Sequence, residues 1–577
     1  MESTHAPALE YPAPSEVEKD LSSHDSSHSS TASDAEKDSA SAKQHDGNSL
    51  SQQVSRQLSH QLSRIATSDY PTGLRLAMIV VALVLTIFLM AIDMTIVATA
   101  IPRITDQFQS LDQVGWYGSA FFLTLASFQS TWGKAYKYFP LKLSFLVSIF
   151  VFEVGSLICA VANNSTTLIV GRAIAGAGGA GIASGSYTII AFSASEKQRA
   201  TYIGLLGAVY GLASVVGPLL GGVFTDKLSW RWCFYINLPI GGVSAAVIAL
   251  FFTAPPAARP QKASLKEKLL QMDLPGSLTI MAAVVCYLLA MQWGGTSKGW
   301  SSGPVVATLV VFGVLVIAFV GIEWYSGDRA LIQARFLKDR TIAAQSAFVC
   351  LASGLFFIVI YYLPIYFQST RGASAARSGI NNLPLVLGVS LFTAVSGVLI
   401  TVFGHYIPLM IVGSAISTIG AGLIYTLERD TGSDKWIGYQ AFVGIGLGLI
   451  FQIPVIVNQA LVSPSDLSSI TAQTLFFQTI GGAFFISAAQ AAFANRLLAR
   501  VVITAPTVDP GLVLATGATE LNDYFNAEEL DGIIIAYLAG LKMTFAIGIA
   551  CAGVAFFLAF TPRWQNLKGK VNPGAAV

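Results

Sequence analysis

Residues 202–242 read YIGLLGAVYGLASVVGPLLGGVFTDKLSWRWCFYINLPIGG, and they set the terms on which the rest of the chain folds. The first half is apolar over the ~20 residues a bilayer demands. It carries Gly204, Gly207, Gly211, Gly217, Gly221 and Gly222, with Pro218 inside the run. In water each interior glycine costs a helix about 1 kcal/mol and a proline about 3 kcal/mol. In lipid, small residues instead let two helices approach closely, and Gly207/Gly211 and Gly217/Gly221 have the required small-xxx-small spacing. Pro218 is expected to bend the helix near one end. The stretch reads as a membrane helix built to pack tightly, followed by a short loop and a second span from Trp232.

Composition extends this reading to the whole chain. Of 577 residues, 53% are hydrophobic and 11% charged, whereas a soluble domain carries about 25% charged residues. A net charge of +2 and the absence of a basic patch leave nothing to hold nucleic acid. The five cysteines, at 159, 233, 286, 350 and 551, have neither metal-ligand nor redox spacing and read as small hydrophobes. No Walker A or HExxH sequence occurs, and no GxSxG with triad partners, so ATP-driven pumping and intramembrane hydrolysis lack support. No cofactor, no metal and no enzymatic activity are expected.

Fourteen apolar runs of spanning length follow a polar start, the first at 77–101, the second at 114–133 and the last at 539–560. Residues 1–70 are rich in Ser, His, Asp and Lys and are expected to form a disordered cytosolic tail. Val54, Leu58, Leu62 and Ile65 have the spacing of a short surface-lying helix. With both termini cytosolic, nineteen Lys and Arg fall on the inner side against ten outside. The nine tryptophans fall near span ends, as an aromatic belt would place them. Residues 494–538 are expected to face outside and read as either a structured lid or a plain surface loop, the loop being favoured. Asn163 and Asn164 begin overlapping glycosylation sequons in a very short outer loop, close to the membrane.

Ionisable residues inside spans cost at least ~2.5–3.5 kcal/mol and mark functional sites by default. Asp93 lies in the first span, Glu153 in the third and Arg172 in the fourth. Asp93 and Arg172 suit proton coupling, because burial raises a carboxyl pKa and a nearby arginine lowers it again; the alternative is a structural ion pair. Glu153 is a third candidate for proton coupling, against a structural hydrogen bond, the reading favoured. The distal half offers aromatics and amides instead: Tyr361, Tyr362, Gln452, Phe477 and Gln478 suit a cavity for bulky, mostly apolar ligands. Ordinary helix packing is the alternative for each.

Several stretches together resemble the major facilitator superfamily, specifically its fourteen-span drug:proton antiporter group common in fungi. They are Ile92-Asp93-Met94-Thr95-Ile96-Val97 with Ala100-Ile101-Pro102; Leu168-Ile169-Val170-Gly171-Arg172-Ala173 with Gly176; Gly211 with Gly217-Pro218-Leu219-Leu220-Gly221-Gly222; Trp230 to Pro239; and Tyr361 to Gln368. The resemblance runs from about residue 74 to 564. Three positions depart from the group's pattern. After Gly133 the chain has Lys137 where an aspartate is usual and Pro140 in place of a second glycine, and Ala175 stands where glutamine is frequent.

The resemblance implies an all-α polytopic membrane protein with the superfamily fold: two six-helix bundles plus two extra central helices. The expected organisation is a tail at 1–70, a first bundle at 74–254, a linker with two helices at 255–341, a second bundle at 342–562 and a tail at 563–577. The resemblance also implies a role for Arg172 in proton coupling and an association of the Gly211–Gly222 motif with exporters. The implied activity is proton-coupled export of hydrophobic organic compounds, such as secondary metabolites, toxins or antifungal drugs, across a fungal plasma membrane. The expected partners are that small molecule, protons and the bilayer, and the expected state is a monomer. Siderophore transport, vacuolar amino-acid exchange and a non-transporting sensor are the rival readings. A sensor should show a folded cytosolic domain, which this tail and these short loops do not offer.

Overall fold

The structure is a computed structural model describing residues 70–108, 114–516, 518 and 520–567. The expectations for residues 1–69 and for the last ten residues lie outside these. The described chain is built of helices. Thirteen are long and apolar enough to cross a membrane. A further one, Val114–Tyr138, has 25 residues but a more polar sequence. We number the long helices α1 Gly73–Thr95, α2 Val114–Tyr138, α3 Leu141–Ala160, α4 Ser165–Ser193, α5 Glu196–Lys227, α6 Asn237–Phe251 and α7 Leu274–Trp293. They continue with α8 Gly303–Ser326, α9 Arg340–Arg371, α10 Leu383–Phe403, α11 Ile407–Tyr425, α12 Ser433–Ile450, α13 Leu467–Thr504 and α14 Ala527–Leu558.

Their packing repeats with an offset of eight. In the first half α3 packs on α4, α2 on α4, α1 on α5 and α6, and α3 on α6. In the second half α11 packs on α12, α10 on α12, α9 on α13 and α14, and α11 on α14. The two seams between the halves obey the same rule: α5 packs on α10, and its counterpart α13 packs on α2. This is the signature of two six-helix bundles related by a pseudo-two-fold axis. Helices α7 and α8 form a pair between them in sequence, and α7 lies against both α2 and α13.

Local chemistry explains the ends and breaks. The α3–α4 turn is closed by Asn164, whose side chain accepts from the Thr167 amide at 2.8 Å as an N-cap. Asn163 and Asn164 are exposed within a turn only four residues long, 161–164. Gly404, at φ 75°, ends α10 in a left-handed conformation that only glycine adopts freely, which separates it from α11. Beyond α1 the helical path resumes at Val97–Phe108, so the first membrane segment runs past its expected end at residue 101.

Two expectations need correction. Residues 494–538 are not a plain loop: α13 runs on to Thr504, α14 begins at Ala527, and Pro510–Ala515 is a further helix. Leu497, Val501, Val508, Val513, Leu521, Phe525, Ile533 and Tyr537 are buried together, so apolar residues spread over four short runs close one small core that no single run announces. The tryptophans do not all form a belt. Trp230 is 4% exposed and packs edge-on against Phe108 and Phe234, while the Trp132 indole donates to the Ala177 carbonyl at 2.8 Å inside the first bundle.

Candidate functional site

The glycine-rich helix α5 serves two seams with two faces. Gly204 lies against the Thr393 carbonyl and Gly397 of α10, Gly207 against Gln452 and Thr393, and Gly211 against Ser390. Further along, Gly217 and Gly221 face Thr95, Ile96 and Thr99; a Cβ on Gly221 would sit 2.6 Å from the Ile96 carbonyl oxygen. Gly222 faces open space. Of the expected motif glycines, Gly211 therefore joins the two bundles, whereas Gly217 and Gly221 join α5 to the α1 segment of its own bundle. Pro218 lies within the same helix.

Next to that seam, Asp93 and Arg172 are both fully buried and form an ion pair between Arg172 Nη1 and Asp93 Oδ2. Arg172 Nη2 also donates to the Asp93 carbonyl at 3.1 Å, and Nε donates to the Tyr117 carbonyl at 2.8 Å. Its guanidinium lies over the Phe121 ring, 4.5 Å from the centroid. The second carboxylate oxygen of Asp93 accepts from Asn237 Nδ2 at 3.1 Å, and Asn237 also donates to Ser156 at 3.0 Å. Helices α1, α3, α4 and α6 thus meet at one buried, charge-balanced polar knot. Such a pair persists in a low-dielectric interior only because hydrogen bonds satisfy both partners.

Glu153 is placed one turn from this knot on α3, and the hydrogen bond favoured for it on the sequence is not made: both carboxyl oxygens are shielded and neither has a hydrogen-bonding partner. A buried carboxyl cannot remain as an unpaired ion at low cost, so this site is chemically unfinished.

Between the bundles lies a cavity of about 50 Å³. Its walls include Met90 and Met94 of α1, Gln129 of α2, Tyr187 of α4, Tyr210 of α5, Phe357 of α9, Gln452 and Gln478, and none of its lining residues is charged. Gln452 sits where the backbone breaks between α12 and the helix Ile453–Ala460. Its amide nitrogen donates to the Tyr187 hydroxyl at 3.1 Å across the bundle boundary, while its carbonyl oxygen has no partner. Tyr187, Tyr210 and Gln129 were not singled out on the sequence, since isolated polar residues in apolar runs carry no periodic signal. Among the expected cavity residues Gln452 and Gln478 line the cavity, and Tyr361 stands beside the lining Phe357 at 6.5 Å. Tyr362 instead packs against Phe493, and Phe477 against the apolar cluster that includes Ile280 and Val284 of α7.

One face of the bundle boundary is sealed. Gly133 of α2 brings the backbone against α13, where a Cβ would lie 2.9 Å from the Ser468 carbonyl oxygen. Beside it, Lys137 forms an ion pair with Asp466 at 2.7 Å, and Arg335 reaches the same carboxylate at 2.6 Å. Lys137, at the position where the resembling group has an aspartate, thus makes a charged link to the other bundle with the sign of the loop's charge reversed. On the second seam, the Thr201 and Thr401 hydroxyls meet at 3.0 Å.

Comparison with known proteins agrees with this geometry. The sequence profile of the Major Facilitator Superfamily matches residues 83–486. An MFS-type transporter of Penicillium sp, grgE, is 48% identical over 89% of this chain and 90% of its own length. The probable efflux pump gsfJ of Penicillium aethiopicum is 49% identical over 87% and 90%. The MFS-type efflux pump MFS1 of Trichophyton rubrum is 45% identical over 88% and 95%. Among solved structures, the human organic anion transporter MFSD10 (TETRAN) superposes with a TM-score of 0.56 at 13% identity, covering 85% of this chain and all of that one. The proton:xylose symporter XylE superposes with a TM-score of 0.54 at 12% identity, over 85% and 98%. With its two offset bundles and these relatives, the chain belongs to the Major Facilitator Superfamily.

Proposed function

We propose that this transporter exports hydrophobic organic compounds, secondary metabolites or antifungal toxins among them, in exchange for protons across the fungal plasma membrane. The observation that carries the reading is the pairing of an uncharged cavity with a buried ion pair behind its wall. Met90 and Met94 line the cavity on α1, and Asp93, on the same turn, faces the other way into Arg172. Thioether, aromatic and amide groups suit large apolar ligands with a few polar atoms. The free carbonyl of Gln452 would accept from a ligand hydroxyl. Cargo that pushes on α1 would bear directly on the carboxylate that a proton competes for.

A cavity of about 50 Å³ is far smaller than the ~300–1,000 Å³ that holds an organic ligand. Loading it requires the two bundles to move apart. The seams α5/α10 and α2/α13, related by the pseudo-two-fold axis, are the surfaces on which such rocking would occur. The names of the relatives, which include efflux pumps and an aspyridones efflux protein of Neocamarosporium betae, support export over uptake.

The test is transport of rhodamine 6G, a lipophilic dye, by everted plasma-membrane vesicles from efflux-deficient yeast expressing the chain. Dye should accumulate when the vesicle interior is made acidic, and collapse of the pH gradient should abolish accumulation. A fluorescent fusion should outline the cell periphery. Gradient-independent accumulation would remove proton exchange from the reading, and transport of ferric chelates or amino acids in place of lipophilic compounds would remove the cargo class.

A further inference from the structure

The buried knot at Asp93 contains two carboxyl groups in opposite circumstances. Asp93 has every oxygen engaged: Oδ2 by Arg172, Oδ1 by Asn237 and its backbone carbonyl again by Arg172. Its negative charge is matched by one positive charge. Glu153 has none of this. Both of its carboxyl oxygens are shielded from solvent and without a hydrogen-bond donor. Among the described residues it has no cationic partner, and the charged group bearing on it is Asp93, of like sign.

Its position is built rather than accidental. Asn237 of α6 meets Ser156 of α3. One turn away on both helices, about 5 Å along the axis, Glu153 occupies the slot left by Gly241, where any Cβ would strike the carboxyl. The charged group acting on it is Asp93 on α1, with Arg172 on α4 beyond it; helix α3 itself carries Cys159 and, at its far end, Lys142, which donates to the Ala249 carbonyl. Arg172 is committed to Asp93. Asn237 spends both of its amide hydrogens on Asp93 and Ser156, and its own carbonyl oxygen is unpaired. This corner therefore has three unsatisfied acceptor oxygens. A proton on Glu153 supplies a donor and removes an uncompensated charge.

We propose that Glu153 is the proton-carrying residue of this state, while Asp93 stays ionised against Arg172. This rests on the proton-exchange reading above and adds to Asp93 a second carboxyl, on which the proton resides while Asp93 is paired. The two carboxyl groups together hold one proton and one negative charge. Moving the proton from Glu153 to Asp93 conserves both, leaves Glu153 as the carboxylate and frees Arg172 from the Asp93 side chain. The tie that Arg172 makes between helices α1 and α4 is thereby reduced to its hydrogen bond with the Asp93 backbone carbonyl.

The test uses the purified full-length chain in lipid nanodiscs. Infrared difference spectra of wild type and Glu153→Gln at neutral pH should show a carboxylic-acid carbonyl band that the substitution removes, and Glu153→Asp should restore such a band. Glu153→Gln should melt no lower than wild type, since the amide replaces a neutral group of the same shape, whereas Asp93→Asn should melt lower because Arg172 loses its charge partner. In proteoliposomes, rhodamine 6G transport by Glu153→Gln should lose its stimulation by an imposed pH gradient. Identical carbonyl bands in wild type and Glu153→Gln would overturn the assignment, as would full gradient stimulation in Glu153→Gln. A wild-type band that the substitution removes, with dye transport insensitive to the gradient in wild type, would instead leave Glu153 protonated and overturn proton exchange.

Discussion

Helices α4 and α8 have nearly exchanged the properties that hydropathy would assign them. The best window of α8 has a mean hydropathy of 3.0 and is 11% buried inside the protein, whereas that of α4 has 1.3 and is 72% buried. In water the more apolar helix would be the core. In lipid it gains nothing from burial, because the acyl chains are as apolar as its own side chains. Burial goes to the helix that can approach others closely and satisfy polar groups. Glycines of α4 lie against backbone: Gly178 on Phe152, and Gly155 of α3 on Ala175. Gly313 and Gly321 of α8 have nothing within 4 Å. The α4 helix also carries Arg172 and Tyr187, the charge partner and one cavity wall.

The comparison can be broken most severely at Arg172. Arg172→Ala strands the Asp93 carboxylate in the interior and should cost about 3–5 kcal/mol in the thermal unfolding of the detergent-solubilised protein. Adding Asp93→Asn should recover most of that stability while gradient-driven dye efflux stays abolished. A double variant with intact efflux would show that the pair is structural only.

Smaller effects should follow from the glycines. A Cβ at position 178 would come within 2.7 Å of the Phe152 Cα, so Gly178→Ala should lose about 1–3 kcal/mol by overpacking. Gly133→Ala should destabilise the sealed face by a lesser amount within the same ~1–3 kcal/mol range, since it acts on one seam between bundles. A cysteine introduced at Ser469, which is 7% exposed beside that seam, should then be alkylated faster by a water-soluble maleimide; an unchanged rate would mean that Gly133 does not hold the seam. At the bottom of the scale, Gly313→Ala and Gly321→Ala in α8 should shift stability by no more than about 0.5 kcal/mol. A large loss at either would identify a partner surface on α8.

Much of the fold was legible because lipid imposes a simple length rule. Runs of ~20 apolar residues must be helices, and even the run at 168–191, rich in small residues, became the long helix α4. The ion pair was also legible as two charges that a bilayer should not contain. Less was visible where the decisive chemistry is neutral. Tyr187 and Tyr210 look like any other tyrosine in an apolar run, and only their convergence with Gln452 on one cavity distinguishes them. Phe477 resembled them equally and faces α7 instead. The core joining Leu497 to Tyr537 escaped notice because its members are separated by polar turns.

The glycine-rich stretch 202–242 shows where the two sources divide. By itself the sequence determined that this segment crosses the membrane and packs closely, because composition, length and small-xxx-small spacing are local properties. Which neighbours it packs on was decided by the tertiary structure: Gly204, Gly207 and Gly211 meet the opposite bundle, and Gly217 and Gly221 meet Thr95 and Thr99. The same holds for Glu153. Its presence in the membrane is written in one letter, but its lack of a partner depends on where Arg172 and Asn237 direct their hydrogens. A glycine or a carboxyl has no energetic meaning until its neighbours are in place, and those neighbours come from helices distant in the chain.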